Sequence, residues 1–401
     1  EIASCLVGSE MCIRDRLKVI DRVKKNKILV DGQWLVNFAS NDYLGLSQNK
    51  KIQQAIIQGI REFGAGAGAS HLISGHFSCH DGVEKKLAKL LGFEKSLFFS
   101  SGYMANMAVI GGLIKRGDAV FCDKLNHASL NDAAVLSRAK VYRFNHLDLS
   151  FLERQIKKSA EKNKWIISDG VFSMDGDIAD IAGLLALCHK YNAYLFIDDA
   201  HGYGVLGENG QGIFEQNNQR LWSKKDLSRV IYMVTLGKSV GVSGAMVSAK
   251  KNIVDLLIQK SKPYIYTTAS IPALAKGVSA SLDIIFHGHM LRKKLKRNIE
   301  LFRHSIKNKD LLLDSITAIQ PLMIGNANKA LRIAEALKKS GLYVPAIRPP
   351  TVPMNTSRLR VSLSASHKRA DILHLSNTVS YTHLRAHETR GNLVCRLLRE
   401  K

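Results

Sequence analysis

Two strand ends carry the residues whose types and spacing could do chemistry. Lys238 closes the run Val230-Ile231-Tyr232-Met233-Val234-Thr235-Leu236-Gly237-Lys238, an apolar, β-branched stretch stopped by a glycine. Small residues follow at Gly241, Ser243, Gly244 and Ala245. A lysine pushed out at the tip of such a strand can form a Schiff base with a carbonyl cofactor, although a merely solvated lysine looks the same. Upstream, Tyr194-Leu195-Phe196-Ile197 runs into Asp198-Asp199-Ala200-His201-Gly202-Tyr203-Gly204. There a strand delivers a carboxylate, then an imidazole three residues on, then glycines that keep the backbone open. Pyridoxal 5'-phosphate needs that set. Its ring draws electrons only while the ring nitrogen stays protonated, which an acidic partner ensures. The expectation is Asp198 at the ring nitrogen, His201 at the ring oxygen and Lys238 as the covalent anchor.

The elements that must position these residues alternate in type. Strands are expected at Ser96 to Phe99, Ala119 to Cys122, Lys140 to Phe144, Trp165 to Asp169, Tyr194 to Ile197 and from Val230, with helices between them up to about Ala249. That spacing predicts an α/β fold, a largely parallel sheet with helices on both faces. Ligands of such sheets sit beyond the carboxyl ends of the strands, where Asp198, Ser173, Thr235 and Lys238 all fall. Ser100-Ser101-Gly102-Tyr103-Met104-Ala105-Asn106 turns from strand into helix, and the first amides of a helix carry the positive end of its dipole. This is the expected phosphate site, with Gly102 allowing close approach and Tyr103 able to flank the ring. His127, among small residues after a strand, is either a satisfied structural histidine or the residue that stacks on the pyridine.

Before this region, Ile28 to Ala39 reads as a hairpin turning at Asp31-Gly32. A helix follows from about Lys50 to Phe63. Glycines alternate through Gly64, Gly66 and Gly68 towards Gly75, spacing that suits close backbone approach and fits neither nucleotide-binding pattern. After it, the hydroxyl-rich segment Pro263 to Ser270 leads into one long helix through a basic stretch to about Ile306. The remainder reads as a smaller α/β unit: strand Thr317 to Met323, helix Asn328 to Ser340, the proline-rich loop Ala346 to Pro353 with Arg348, and strand Arg358 to Leu363. A rigid loop bearing one arginine suits carboxylate recognition.

The 401 residues carry a formal charge of +24. A lysine-rich surface, attraction of an acidic acyl donor and nucleic-acid binding could each account for it. The basic residues are spread over many segments without an arginine-rich arm, which argues against nucleic acid. No apolar run approaches a membrane span. The six cysteines, Cys5, Cys12, Cys79, Cys122, Cys188 and Cys395, have neither metal-ligand nor disulfide-framework spacing, which suits a reducing cytoplasm and predicts no metal. The ends, about Ser4 to Arg16 and Val379 to Lys401, show no periodicity and read as foreign adapter-like sequence. No function is placed on Arg14, Arg16, His383 or His387.

In combination, the motifs NDYLGL from Asn41, SGYMAN from Ser101, NHASL from Asn126, GVFSMDGD from Gly170, DDAHGYGVLG from Asp198 and TLGK ending at Lys238 resemble the α-oxoamine synthase family of pyridoxal phosphate enzymes. The resemblance covers roughly Ile28 to Ala370. It implies the aspartate aminotransferase fold type I, with an N-terminal arm over 1–45, a large cofactor-binding domain over 46–280, a small C-terminal α/β domain over 281–378 and a tail over 379–401. Ser173, on the loop after the strand Trp165 to Asp169, is a candidate supporting hydroxyl of the cofactor site, and the resemblance implies Thr235 on the phosphate beside Gly102 and Tyr103 and Thr268 reaching the cofactor of a second subunit, hence a homodimer. Asn41 and Arg348 would hold the amino acid carboxylate and Thr351 would line the substrate site. The family's N-terminal substrate arginine has no counterpart that can be placed. SHLISGH from Ser70 and AIRPPTVP from Ala346 favour the branch that joins L-alanine to a pimeloyl thioester, of coenzyme A or an acyl-carrier protein, on the way to biotin. A branch joining glycine to acetyl-coenzyme A is the alternative. In either, His127, Asp198 and Lys238 are the expected catalytic residues.

Overall fold

The computed structural model describes residues 18–216, 219–220 and 223–381. The stretches read as foreign, including Arg14, Arg16, His383 and His387, lie outside the described residues except for 379–381. Among the described residues two compact units are present: Leu44–Ser173 with Asp177–Lys293, and the residues up to Tyr43 with Met174–Gly176 and those from Lys294 onward.

The larger unit is built on seven strands: β1 (Lys95–Phe99), β2 (Ala119–Asp123), β3 (Lys140–Phe144), β4 (Lys164–Asp169), β5 (Tyr194–Asp198), β6 (Val230–Thr235) and β7 (Ala245–Ala249). Their order across the sheet is β1-β7-β6-β5-β4-β2-β3. β2, β3, β4, β5 and β6 pair in parallel. The central strands bury every residue or nearly so, as a sheet covered on both faces requires. Helices α1 (Lys50–Phe63) and α2 (Ser78–Leu91) precede β1, while α3 (Gly102–Leu113), α4 (Ala128–Leu136), α5 (Leu149–Lys158) and α6 (Ile181–Lys190) connect the strands. Along α3, Ala105, Ala108 and Val109 pack in one core with Leu97, Phe99 and Met233.

Two departures from the sequence reading have physical causes. β7 runs antiparallel to both neighbours. It follows β6 through residues 236–244 alone, too few for the dozen or so that a parallel crossover needs. The long basic helix is two helices, Pro272–Phe286 and His289–Ser305. His287-Gly288 ends the first, where the Ile285 carbonyl accepts the Gly288 N–H at 2.9 Å and the Arg292 guanidinium, from the first turn of the second helix, at 2.6 Å.

The smaller unit has the expected hairpin, Lys27–Val30 with Gln33–Asn37. Its turn places Asp31 at φ 51° and Gly32 at φ 75°, the left-handed pair that matches strand twist. A strand Arg22–Lys24 and a parallel strand Leu342–Tyr343 complete that sheet. A second sheet joins Ile319–Gly325, Ser357–Ser362 and Ala346–Ile347, antiparallel throughout. Among the described residues no helix is long and apolar enough to cross a membrane.

Candidate active site

The carboxyl ends of β1, β2, β4, β5 and β6 gather a connected polar group within the larger unit. Asp198, the last residue of β5, is buried. Asn106 Nδ2 donates to Asp198 Oδ2 at 2.7 Å, and the Ala200 N–H donates to Asp198 Oδ1 at 3.0 Å. Neither donor is charged, and among the described residues Asp198 has no salt-bridge partner. A buried carboxylate is costly without a cation, so this arrangement is suited to a cationic ligand such as a protonated ring nitrogen.

The same Asn106 Nδ2 donates to Ser129 Oγ at 2.8 Å, and Ser129 Oγ lies 2.7 Å from His127 Nδ1. Because Nδ1 also accepts the Ser129 N–H at 3.3 Å, we assign the ring proton to Nε2. A polar relay therefore runs from Asp198 through Asn106 and Ser129 to His127. Sequence reasoning quoted Asn106 and Ser129 inside motifs but gave them no role. The signal was available for Asn106, a buried polar residue on the apolar helix α3 beside Ala105, Ala108 and Val109.

Lys238 Nζ lies 3.0 Å from His201 Nε2, so the β5 and β6 ends meet at an amine and an imidazole. The loop that carries Lys238 is tightly tied: the Leu236 N–H donates to Gly244 O and the Val242 N–H to Leu236 O, both at 2.8 Å. It needs Gly241, at φ 72°, where a Cβ would stand 2.5 Å from the Ser47 nitrogen. Gly102 and Thr235 also meet, since a Cβ on Gly102 would lie 2.6 Å from Thr235 Cγ2. Ser101 caps α3 by accepting the Met104 N–H at 3.2 Å. Tyr103 is exposed and donates its hydroxyl proton to Asp132 Oδ2 at 2.8 Å.

The neighbouring Asp199 points to the opposite face and serves structure. Its Oδ2 accepts from the Tyr232 hydroxyl at 2.5 Å and the Ile213 N–H at 2.8 Å. Burial nevertheless pushes its carboxyl up to about 7. Ser173 is half-buried on the loop after β4. That loop is held by His146, whose ring bonds both Asp123 and Asp177. Burial would depress His146, but these two carboxylates outweigh it and hold it up at about 9. The sign is that of a cation stabilised by folding: its contribution is full below the ordinary histidine value near ~6.5 and fades as pH rises through 9. The stability advantage of the native protein over His146→Gln, read from urea midpoints, should therefore shrink by on the order of 2 kcal/mol between pH 6 and pH 10. An advantage independent of pH would refute the assignment.

Thr268 is exposed and bridges to Ser70 in an antiparallel contact. Beside it, His71, His76 and His80 bring ring nitrogens within 4.8 Å of one another, a cluster of which the sequence reading used only His71 and His76, within a branch marker. His80 has both nitrogens committed: Nδ1 accepts the Phe77 N–H at 3.1 Å, and Nε2 faces the Ser270 carbonyl at 2.9 Å. The cluster thus clamps the segment that carries Thr268. Of the glycines before it, only Gly75 makes the expected close approach, its absent Cβ leaving room for Ala69 O at 2.1 Å. Gly64 and Gly68 serve positive φ instead.

Asn41, Arg348 and Thr351 belong to the smaller unit. Asn41 Oδ1 accepts from Arg360 Nη1 at 3.2 Å and from the Tyr43 hydroxyl at 3.1 Å. Arg348 and Thr351 share a turn, with the Thr351 N–H donating to Arg348 O at 3.0 Å.

An amine against an imidazole at one strand end and, among the described residues, a buried carboxylate without a cation at the next suit a pyridoxal phosphate. The chain belongs to the class I and II aminotransferase family, which it matches over residues 34–379. The 8-amino-7-oxononanoate synthase of Nitrosomonas eutropha is 47% identical over 360 residues, 90% of this chain and 92% of that protein. Within the family the chain is therefore a member of the 8-amino-7-oxononanoate synthase group of acyltransferases, and pyridoxal phosphate is its cofactor. A solved 8-amino-7-oxononanoate synthase from Francisella tularensis superimposes with TM-score 0.75 at 31% identity, covering 88% of this chain and 99% of that one. A serine palmitoyltransferase from S. paucimobilis with a bound pyridoxal phosphate–myriocin adduct gives TM-score 0.88 at 26% identity, covering 95% and 98%.

Proposed function

We propose that the chain joins L-alanine to a pimeloyl thioester with loss of carbon dioxide, releasing 8-amino-7-oxononanoate and the free thiol in biotin formation. The observation that carries this reading is the uncompensated Asp198 carboxylate at one strand end with Lys238 and His201 at the next, in a chain 47% identical to a curated synthase. The bound cofactor supplies an electron sink for bonds broken at the amino acid α-carbon.

This chain's residues do the rest. Asp198 would keep the ring nitrogen protonated, and His127 would stack on the ring. His201 would hold the ring oxygen, with Ser173 a supporting hydroxyl. The α3 amides at Gly102 and Tyr103, with Thr235, take the phosphate. Lys238 would anchor the cofactor and its free amine would take the α-proton of alanine as general base. Asn41 and Arg348 would hold the alanine carboxylate, so that the C–H bond rather than the bond to the carboxylate breaks first, and Thr351 would line the substrate site. Among the described residues the Arg348 guanidinium has no side-chain partner, which suits a group that waits for a carboxylate.

Homodimerisation completes the site, with Thr268 reaching the second subunit's phosphate. Ile73 and Tyr266, which flank the Ser70–Thr268 bridge, are 80% and 79% exposed, and such apolar surface is normally covered. Sedimentation of Ile73→Glu/Tyr266→Glu should show monomers with little cofactor retained. Full activity from a monomeric double variant would contradict the shared site. The free thiols of Cys79, Cys122 and Cys188 support work in a reducing cytoplasm.

The deciding experiment offers the holoenzyme L-alanine or glycine together with pimeloyl-coenzyme A, pimeloyl-carrier protein or acetyl-coenzyme A, and measures thiol release. Thiol release with L-alanine and a pimeloyl donor is expected, and the faster donor identifies the acyl carrier. Turnover confined to glycine and acetyl-coenzyme A would move the chain to the alternative branch. Pyruvate formation from alanine without a thioester would make it a plain aminotransferase.

A further inference from the structure

A second buried carboxyl, Asp169, stands beside Asp198. Asp169 ends β4 and Asp198 ends β5, directly opposite each other in a parallel pair, so their side chains leave the sheet on the same face. Asp169 Oδ2 accepts the His127 N–H at 2.6 Å. Its own N–H donates to Asn126 Oδ1 at 3.2 Å, and Asn126 Nδ2 donates to the Ile167 carbonyl at 2.8 Å. His127 is therefore pinned twice, at its ring by Ser129 and at its backbone by Asp169.

We propose that Asp169 is a positioning residue of the cofactor site: through the His127 N–H it sets where the stacking imidazole lies, and it does so as a hydrogen-bond acceptor that adds no charge. The inference rests on the roles given above to Asp198 and His127. Two carboxylates at facing strand ends, both out of water, cannot both ionise without a large cost. Asp169 is the one that holds a proton. Burial raises its carboxyl well above the ordinary range, and the Asp198 and Asp123 carboxylates add to that, while only the His127 N–H and the Lys238 ammonium pull it down. Asp198 accepts two N–H donors and Asp169 one, so the negative charge is better housed on Asp198. One pyridinium then meets one carboxylate rather than two.

The test compares Asp169→Asn with Asp169→Ala in the holoenzyme. The asparagine keeps an acceptor for the His127 N–H and is as uncharged as the protonated acid. Its cofactor Kd and the pH midpoint of the bound cofactor's visible absorbance should stay close to wild type. The alanine loses the acceptor, so cofactor Kd should rise about 10-fold, and kcat should fall about 10-fold or more while KM for L-alanine moves far less. Should Asp169→Ala not fold, Asp169→Ser, too short to reach the same N–H, reads the same losses. An asparagine variant whose absorbance midpoint moves by about a pH unit or more would overturn the uncharged role. An alanine or serine variant that binds cofactor and turns over like wild type would overturn the positioning role. A wild-type protein that took up no cofactor would instead sink the functional reading, and this inference with it.

Discussion

Lys238→Ala should end turnover and remove the visible absorbance that marks a cofactor held through a lysine, while leaving the fold intact. The expectation follows from how the lysine is built in. Gly241 and Gly244 let the β6–β7 connection double back, with the Gly241 N–H closing on the Lys238 carbonyl at 2.9 Å, so the side chain leaves a loop that cannot drift. Its amine meets His201 across the gap between β5 and β6. Lys124, which follows β2, is turned to Asn145 Oδ1 at 2.6 Å, so it is no substitute. Loss of a general base alone costs about 100- to 10,000-fold, and here the covalent anchor goes with it. Thiol release should fall below detection even though the α3 amides and Asp198 still allow the cofactor to bind without a covalent link. The spectrum and the rate must fail together. A variant that kept the lysine-type absorbance, or turned over with L-alanine and a pimeloyl donor, would show that the wrong amine had been chosen.

The carboxyl ends of the strands were legible because each combines a buried apolar run with an abrupt polar residue, as at Ile197-Asp198 and Leu236-Gly237-Lys238. Asp199 turns away from its neighbour Asp198 to meet the Tyr232 hydroxyl and the Ile213 N–H. The structure gives the reason the second acid exists: Gly170, Gly202 and Gly212 leave room for its carboxyl, a Cβ at Gly212 coming within 2.0 Å of Asp199 Oδ2. The polar relay through Asn106 and Ser129 was not legible, because it joins residues 23 and 92 positions apart that meet only once α3 and α4 pack together. The same holds for Asp169, whose value lies in facing Asp198 across two strands. The reversed direction of β7 was missed for a simpler reason. A buried strand has one composition whichever way it runs, and only the length of its connection tells.

Asp198→Asn should still bind the cofactor yet lose about 100- to 1,000-fold in kcat. The amide fills the same volume, and its oxygen can still accept from Asn106 or Ala200. What it cannot do is hold a proton on the ring nitrogen by charge, and without that proton the ring is a poor electron sink. Asn106→Leu separates charge from aim. It removes the 2.7 Å bond to Asp198 Oδ2 and the link to Ser129 but leaves the carboxylate in place, so its loss should be closer to 10-fold, the worth of about one buried hydrogen bond. The ordering matters more than either figure. If Asn106→Leu cost as much as Asp198→Asn, orientation through the relay would be the larger contribution and charge the lesser. If Asp198→Asn matched wild type, the carboxylate would not be the partner of the ring nitrogen at all. Charge should dominate because, among the described residues, Asp198 has no ion-pair partner.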